Sequence, residues 1–260
     1  MRDILHPRHR AILRRFAGED GEAPVLLAFD YDGVLAPLVR APDGAPMRPR
    51  TRALLARLAR LYPVAVVSGR AWVDTRRLSA GVVPHVVGNH GFELLRPVDV
   101  PEAVLAAVQA WRRELAAALQ GVPGVHFEDK RSTLAVHYGL SRGWRRAEAA
   151  VYEAANRLDG TRLVPGKRVL NVLPRDFPNK GDAIRALLAR LGLGAALFAG
   201  DDVTDEDAFR LGSPMVLGIH VGRGPSLAPW RIDAQERVDE LLALLVELRA
   251  ARPRRARGEA

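Results

Sequence analysis

The distribution of apolar and polar residues divides this chain into two grammars. Val25 to Phe29 is apolar without a break, as expected of a strand buried on both faces of a parallel sheet. Arg50 to Leu61 follows as an amphipathic helix with Leu54, Leu55, Leu58 and Leu61 on one side, ended by Pro63. Val64 to Val67 reads as a second buried strand, Trp72 to Leu78 as a helix, and His85 to Val87 as a third strand. A short helix over 7–17 leads in, and a Pro- and Gly-rich loop spans 41–49. This β-α-β-α-β order predicts a parallel, doubly wound sheet.

The pattern then changes. A long Ala-rich helix spans 101–120, with Val104, Leu105, Val108, Leu115 and Leu119 as core positions. Val125–Asp129 and Thr133–Tyr138 read as a strand pair, Arg142–Leu158 as a helix, and Arg162–Pro165 with Arg168–Leu173 as a second pair. From Asn179 the first grammar returns: helix 180–191, strand 195–199, helix 205–210, strand 215–219, helix 235–249. The fold class is therefore α/β: a mainly parallel core, residues 1–96 and 174–260, interrupted by an α+β lobe of order α-β-β-α-β-β over 97–173.

Two acidic clusters stand where strands leave the core sheet. VLLAFDYDGVL places Asp30 and Asp32 directly after the first strand, with Gly33 allowing a tight turn. AALFAG runs into DDVTDEDAF, so Asp201 and Asp202 share the edge of Asp30 if the strands are parallel. Thr204 is the expected helix cap, with Asp205, Glu206 and Asp207 at the positive end of the dipole. Crowded carboxylates repel unless a cation joins them, and a hard divalent ion such as Mg²⁺ suits oxygen ligands. Ser68-Gly69 at the end of the second strand and Lys180 at a helix start are anion binders on the same edge. Beside Mg²⁺ the natural anion is a phosphate, and an aspartate is a fitting nucleophile.

Composition narrows the alternatives. The chain has 260 residues, 48% apolar and 27% charged, as in a globular protein with a full core. No stretch is long and apolar enough to span a membrane, the charged N-terminus is unlike a signal peptide, and cysteine is absent. A cytoplasmic, monomeric enzyme is expected. The net charge of +9 raises nucleic-acid binding as a rival, but the arginines are spread over the chain and cluster only in the tail from Arg252. A solvated basic surface is the expected reading. With arginine so favoured, the three lysines, Lys130, Lys167 and Lys180, mark positions where a compact ammonium is needed.

The motifs DYDGV at 30–34, SGR at 68–70, NKG at 179–181 and GDDVTDEDAF at 200–209, with GNHGFE at 88–93 and FEDKRSTLAVHY at 127–138, resemble the trehalose-6-phosphate phosphatases of the haloacid dehalogenase superfamily. The resemblance implies Mg²⁺-dependent hydrolysis of trehalose 6-phosphate through an aspartyl phosphate. Asp30 is then the nucleophile and Asp32 the general acid and base. The metal is held by Asp30, the Asp32 carbonyl and Asp201. Gly33, Ser68, Gly69 and Lys180 meet the phosphate, with Asp202 orienting Lys180 or a metal-bound water. Residues 97–173 become a cap that selects the sugar, through Glu128, Lys130, His137 and Asn171, with Arg70 and His90 on the core side. Relatives read VxExRP where this chain has VLNVLP, so Asn171 replaces Glu and Leu173 replaces Arg. That departure keeps another sugar phosphate, such as a glycosyl-glycerol or sucrose phosphate, as the alternative substrate.

Overall fold

The computed structural model describes residues 1–16, 25–39, 45–79, 81–166 and 168–250. Residue 17 of the leading helix, residues 41–44 of the Pro/Gly loop, Lys167 and the basic tail from Arg252 lie outside the described residues.

The strands are β1 (Arg2–Asp3), β2 (Leu26–Phe29), β3 (Val64–Val67), β4 (His85–Gly88), β5 (Glu93–Leu94), β6 (His126–Asp129), β7 (Leu134–His137), β8 (Thr161–Gly166), β9 (Val169–Pro174), β10 (Ala196–Gly200), β11 (Val216–Val221) and β12 (Trp230–Ile232). The helices are α1 (Arg10–Phe16), α2 (Pro49–Leu58), α3 (Trp72–Leu78), α4 (Glu102–Ala118), α5 (Trp144–Ala155), α6 (Lys180–Leu191), α7 (Glu206–Phe209) and α8 (Val238–Ala250). An eight-stranded sheet runs β1-β12-β11-β10-β2-β3-β4-β5, parallel throughout except where β5 folds back on β4. A separate antiparallel sheet runs β6-β7-β9-β8.

The unbroken apolar runs fill the centre of the large sheet, because a strand covered by helices on both faces has no polar side to show. One core packs β2, β3 and β11 against α2 and α8, and a second packs the other face against α6 and α7. The small sheet has a core of its own, where Leu134, Val136, Leu170 and Val172 meet Val108, Trp111 and Leu115 of α4 and Val151 of α5. Its opposite face carries the alternate residues, including Glu128, His137 and Asn171. Phe92 and Phe177 lie near the two crossings between the sheets and stack with centroids 4.2 Å apart.

Three differences from the sequence expectation have local causes. β1, β5 and β12 escape the apolar pattern because they are two or three residues long and partly polar. The leading helix opens as a 3-10 turn at Pro7–His9. Thr204 is not a cap: it lies inside a 3-10 turn, Val203–Asp205, whose cap position is Asp202.

Candidate active site

Strand register gathers the acidic clusters. Phe29 pairs with Ala199 on one side and Val66 on the other, so Asp30, Asp201 and Ser68 emerge at one edge. Asp30 is 6% exposed, and its Oδ1 accepts the N–H of Tyr31. Gly33 adopts φ +78°, and a Cβ there would fall 2.2 Å from Asp201 Oδ2. Its N–H donates to the carbonyl of Ala36. The absence of a side chain at Gly33 therefore gives the Asp201 carboxylate room, and the tight turn engages the Gly33 N–H.

Lys180 opens α6 at 2% exposure, behind a capping box made by Asn179 and Asp182. Its Nζ lies 2.6 Å from Asp205 Oδ1 and 3.1 Å from Asp30 Oδ2. The other Asp205 oxygen accepts the N–H groups of Asp201 (2.8 Å) and Asp202 (2.9 Å). Burial opposes the charge of Lys180, but Asp205 and Asp30 outweigh it and keep the ammonium protonated. Asp205, fully buried, thus orients Lys180 and braces the turn that carries Asp201. Asp205 reads from sequence as one more acid at a helix start; the fixed spacing Gly200–Asp205 is the signal, since a Cβ at Gly200 would collide with the Asp205 carboxylate at 2.3 Å.

Ser68 is buried and held by backbone bonds on both sides, Ser68 N–H to Val87 carbonyl and His90 N–H to Ser68 carbonyl. Asn89 and His90 take positive φ (45° and 58°), which turns this loop back under the 68–70 segment. The His90 ring covers Gly69, where a Cβ would come within 2.4 Å of it. Burial, then the charges of Lys130, Lys180 and Arg162, hold the His90 pKa well below the usual histidine range, so the ring is neutral. Arg70 makes a two-pronged ion pair with Asp32, Nε to Oδ2 at 2.6 Å and Nη2 to Oδ1 at 2.9 Å.

The free face of the small sheet completes the surroundings. Glu128 and His137 join at 2.8 Å on exposed positions, and that bond is the main reason the Glu128 pKa is depressed. Lys130 is half-buried; burial pushes its pKa down, Glu128 pushes it up, and it lies within electrostatic reach of Arg70 and Asp32. Asn171 is nearly buried, and its Nδ2 donates to the Val164 carbonyl at 3.4 Å. β8 packs against the 203–205 turn, so this face abuts the acidic edge.

Asp30, Asp201 and Asp205 present carboxylate oxygens within 4.8 Å of one another. Burial and the charges of Asp205, Asp201 and Asp32 raise the Asp30 pKa well above the carboxylate range, against the pull of Lys180. Such crowding fits a hard cation, which would relieve the repulsion and leave Asp30 ionised. Asp205 has both oxygens engaged, one by Lys180 and the other by the N–H groups of Asp201 and Asp202.

The family model of trehalose-phosphatase matches residues 28–234, which include both acidic clusters, the lysine and the small sheet. The chain belongs to the trehalose-phosphatase family. It is 37% identical over 250 residues to the trehalose-phosphate phosphatase of Mycobacterium avium (strain 104), an alignment covering 90% of this chain and 62% of that one. This trehalose-phosphatase chain thus spans 62% of that relative's length. The fold is shared with the C-terminal domain of C. albicans trehalose-6-phosphate phosphatase, at TM-score 0.76 and 21% identity over 92% of this chain and 96% of that one. It is also shared with a HAD subclass IIB sugar phosphatase, at TM-score 0.58 and 12% identity over 84% and 98%.

Proposed function

We propose that this chain hydrolyses trehalose 6-phosphate to trehalose and phosphate, through a phosphoryl-enzyme intermediate on Asp30. The observation that carries the reading is the buried Asp30–Lys180–Asp205 row beside Asp201, facing the polar side of the small sheet. Residues 97–173 act as the specificity cap, and residues 1–96 and 174–260 as the phosphatase core. An Asp30 oxygen attacks phosphorus as the ester P–O bond breaks, and Asp32 gives the leaving sugar oxygen a proton. Water then attacks the aspartyl phosphate, with Asp32 taking its proton. Both Asp32 oxygens accept from Arg70, so Arg70 must release one of them, which takes up a proton from water before it meets the leaving oxygen; the proton later drawn from the attacking water restores that form for the next turnover. Lys180 and Ser68 hold the phosphoryl oxygens, and Lys180 also keeps the developing charge near Asp30 low.

Mg²⁺ is the proposed cofactor. It would be held by Asp30, Asp201 and the Asp32 carbonyl, and when bound it supplies the charge neutralisation that phosphoryl transfer needs. The proposed substrate is a small sugar phosphate, and the proposed form of the enzyme is a cytoplasmic monomer. Among the described residues no helix is long and apolar enough to cross a membrane.

A second reading keeps the chemistry and changes the sugar. It rests on Asn171, whose amide is turned to the Val164 carbonyl. Phosphate release from trehalose 6-phosphate, sucrose 6-phosphate, a glycosyl-glycerol phosphate and glucose 6-phosphate decides between them. Preference for trehalose 6-phosphate, abolished by Asp30→Asn, supports the first. Equal or better turnover of another ester, also abolished by Asp30→Asn, supports the second. Turnover that survives Asp30→Asn refutes both.

A further inference from the structure

The small sheet sends one more cation across to the core. Arg162 is the only charged residue among the twelve of β8 and β9. It pairs with Leu173 across the ladder, two residues along β9 from Asn171, so it shares the face that bears Asn171, Glu128 and His137. Its Nη2 donates to the Pro178 carbonyl at 3.3 Å, two residues before Lys180. That bond fixes the guanidinium over the segment leading into α6. Its Nε is buried and has no hydrogen-bond partner in the protein.

A second buried polar atom without a partner lies in the same region. His90 Nδ1 is unpaired, and the ring sits against Gly69 beside Ser68, within electrostatic reach of Arg162. Leaving either atom unmatched is costly, because each gave up water on folding. An Nε–H can only donate, whereas a neutral imidazole nitrogen can accept. A sugar hydroxyl does both at once. Arg162 is therefore placed where an ester of a polyhydroxylated alcohol, with its phosphate on Lys180, would bring hydroxyls.

We propose that Arg162 is a specificity-determining residue, donating its Nε–H to a hydroxyl of the sugar in the site described above. This rests on the reading of the site as a sugar-phosphate phosphatase. It explains how the cap grips a sugar although Asn171 is turned to Val164 and Leu173 offers no polar atom. The cap's contribution moves from β9 to its neighbour β8.

The test compares kcat/KM for trehalose 6-phosphate with kcat/KM for p-nitrophenyl phosphate, an ester without sugar hydroxyls. Arg162→Met is expected to lower the ratio of the two by about 10- to 100-fold, the range for a lost hydrogen bond from a charged donor. Arg162→Lys keeps the charge and the packing of the stem but not the planar Nε–H, and is expected to lower the ratio by about 3- to 10-fold. The ratio is unaffected by a loss of folded protein, which scales both rates together. A ratio within about twofold of wild type in both variants overturns the proposal, and Arg162 is then a clamp between the sheets. If wild type prefers a different sugar phosphate, the trehalose 6-phosphate reading fails alone, and the same ratio taken with the preferred ester still decides the role of Arg162.

Discussion

Asp205→Asn tests the assignment of Asp205 as the brace of the site. The side chain is fully buried and makes three bonds, to Lys180 Nζ at 2.6 Å and to the N–H groups of Asp201 and Asp202 at 2.8 and 2.9 Å. Asparagine keeps one acceptor oxygen and replaces the other with a donor. It can satisfy either the lysine or the turn, not both, and it removes the negative charge. Lys180 is left with Asp30 as its one carboxylate partner among the described residues. Breaking one side of a buried ion pair costs about 3–5 kcal/mol. Solvent does not screen this pair, and the remaining bond to Asp30 places the loss near the lower end, about 3 kcal/mol. Urea unfolding of the metal-free protein measures it. Lys180→Met alone leaves Asp205 unmatched, so the double variant should lose less than the sum of the singles. Turnover of trehalose 6-phosphate should fall at least about 100-fold in Asp205→Asn, since Lys180 and the Asp201 turn both shift. A stability loss under about 1 kcal/mol with turnover intact would show that Asp205 is a bystander.

Other expected outcomes follow from single features. Gly33→Ala puts a methyl into the Asp201 carboxylate at a positive-φ position, so Mg²⁺ activation should need at least about tenfold more metal, seen by titrating Mg²⁺ against rate; an unchanged half-saturation would count against Asp201 as a ligand. Chelation of divalent ions should stop turnover and added Mg²⁺ restore it; full activity in chelator would remove the metal from the reaction. His90 has a folded pKa depressed below 6.5 by burial and nearby cations, so below pH 6.5 the unfolded chain binds the proton first. Stability should therefore fall as pH drops from 6.5 toward the folded value, with His90 contributing up to about 1.4 kcal/mol per pH unit. His90→Asn, which tolerates the positive φ, should flatten that slope in denaturation curves between pH 5 and 7; identical slopes would mean His90 is not buried neutral.

Patterning alone carried much of this molecule. Uninterrupted apolar strands ending in Asp-x-Asp-Gly and Gly-Asp-Asp announce a buried parallel sheet with acid at its carboxyl edge, because periodicity and strand ends are local properties. The strand read over Thr133–Tyr138 is β7, Leu134–His137, paired with β6 as expected of the strand pair. Lys180, one of three lysines, proved to be almost fully enclosed.

Partnerships were decided only in three dimensions. Which acid holds Lys180 depends on the path of the 201–205 turn: Asp202 and Asp205 are alike on paper, and only the folded turn aims Asp205 inward. Arg70 and Asp32 are 38 positions apart, and their pairing follows from β2 and β3 lying side by side. Arg162 looks like any arginine of a basic chain until strand register sets it opposite Leu173 and over Pro178. Local sequence dictates hydrogen-bonding periodicity and chain ends, whereas the choice among chemically equal partners is made by distance and burial, which exist only once the sheets have assembled.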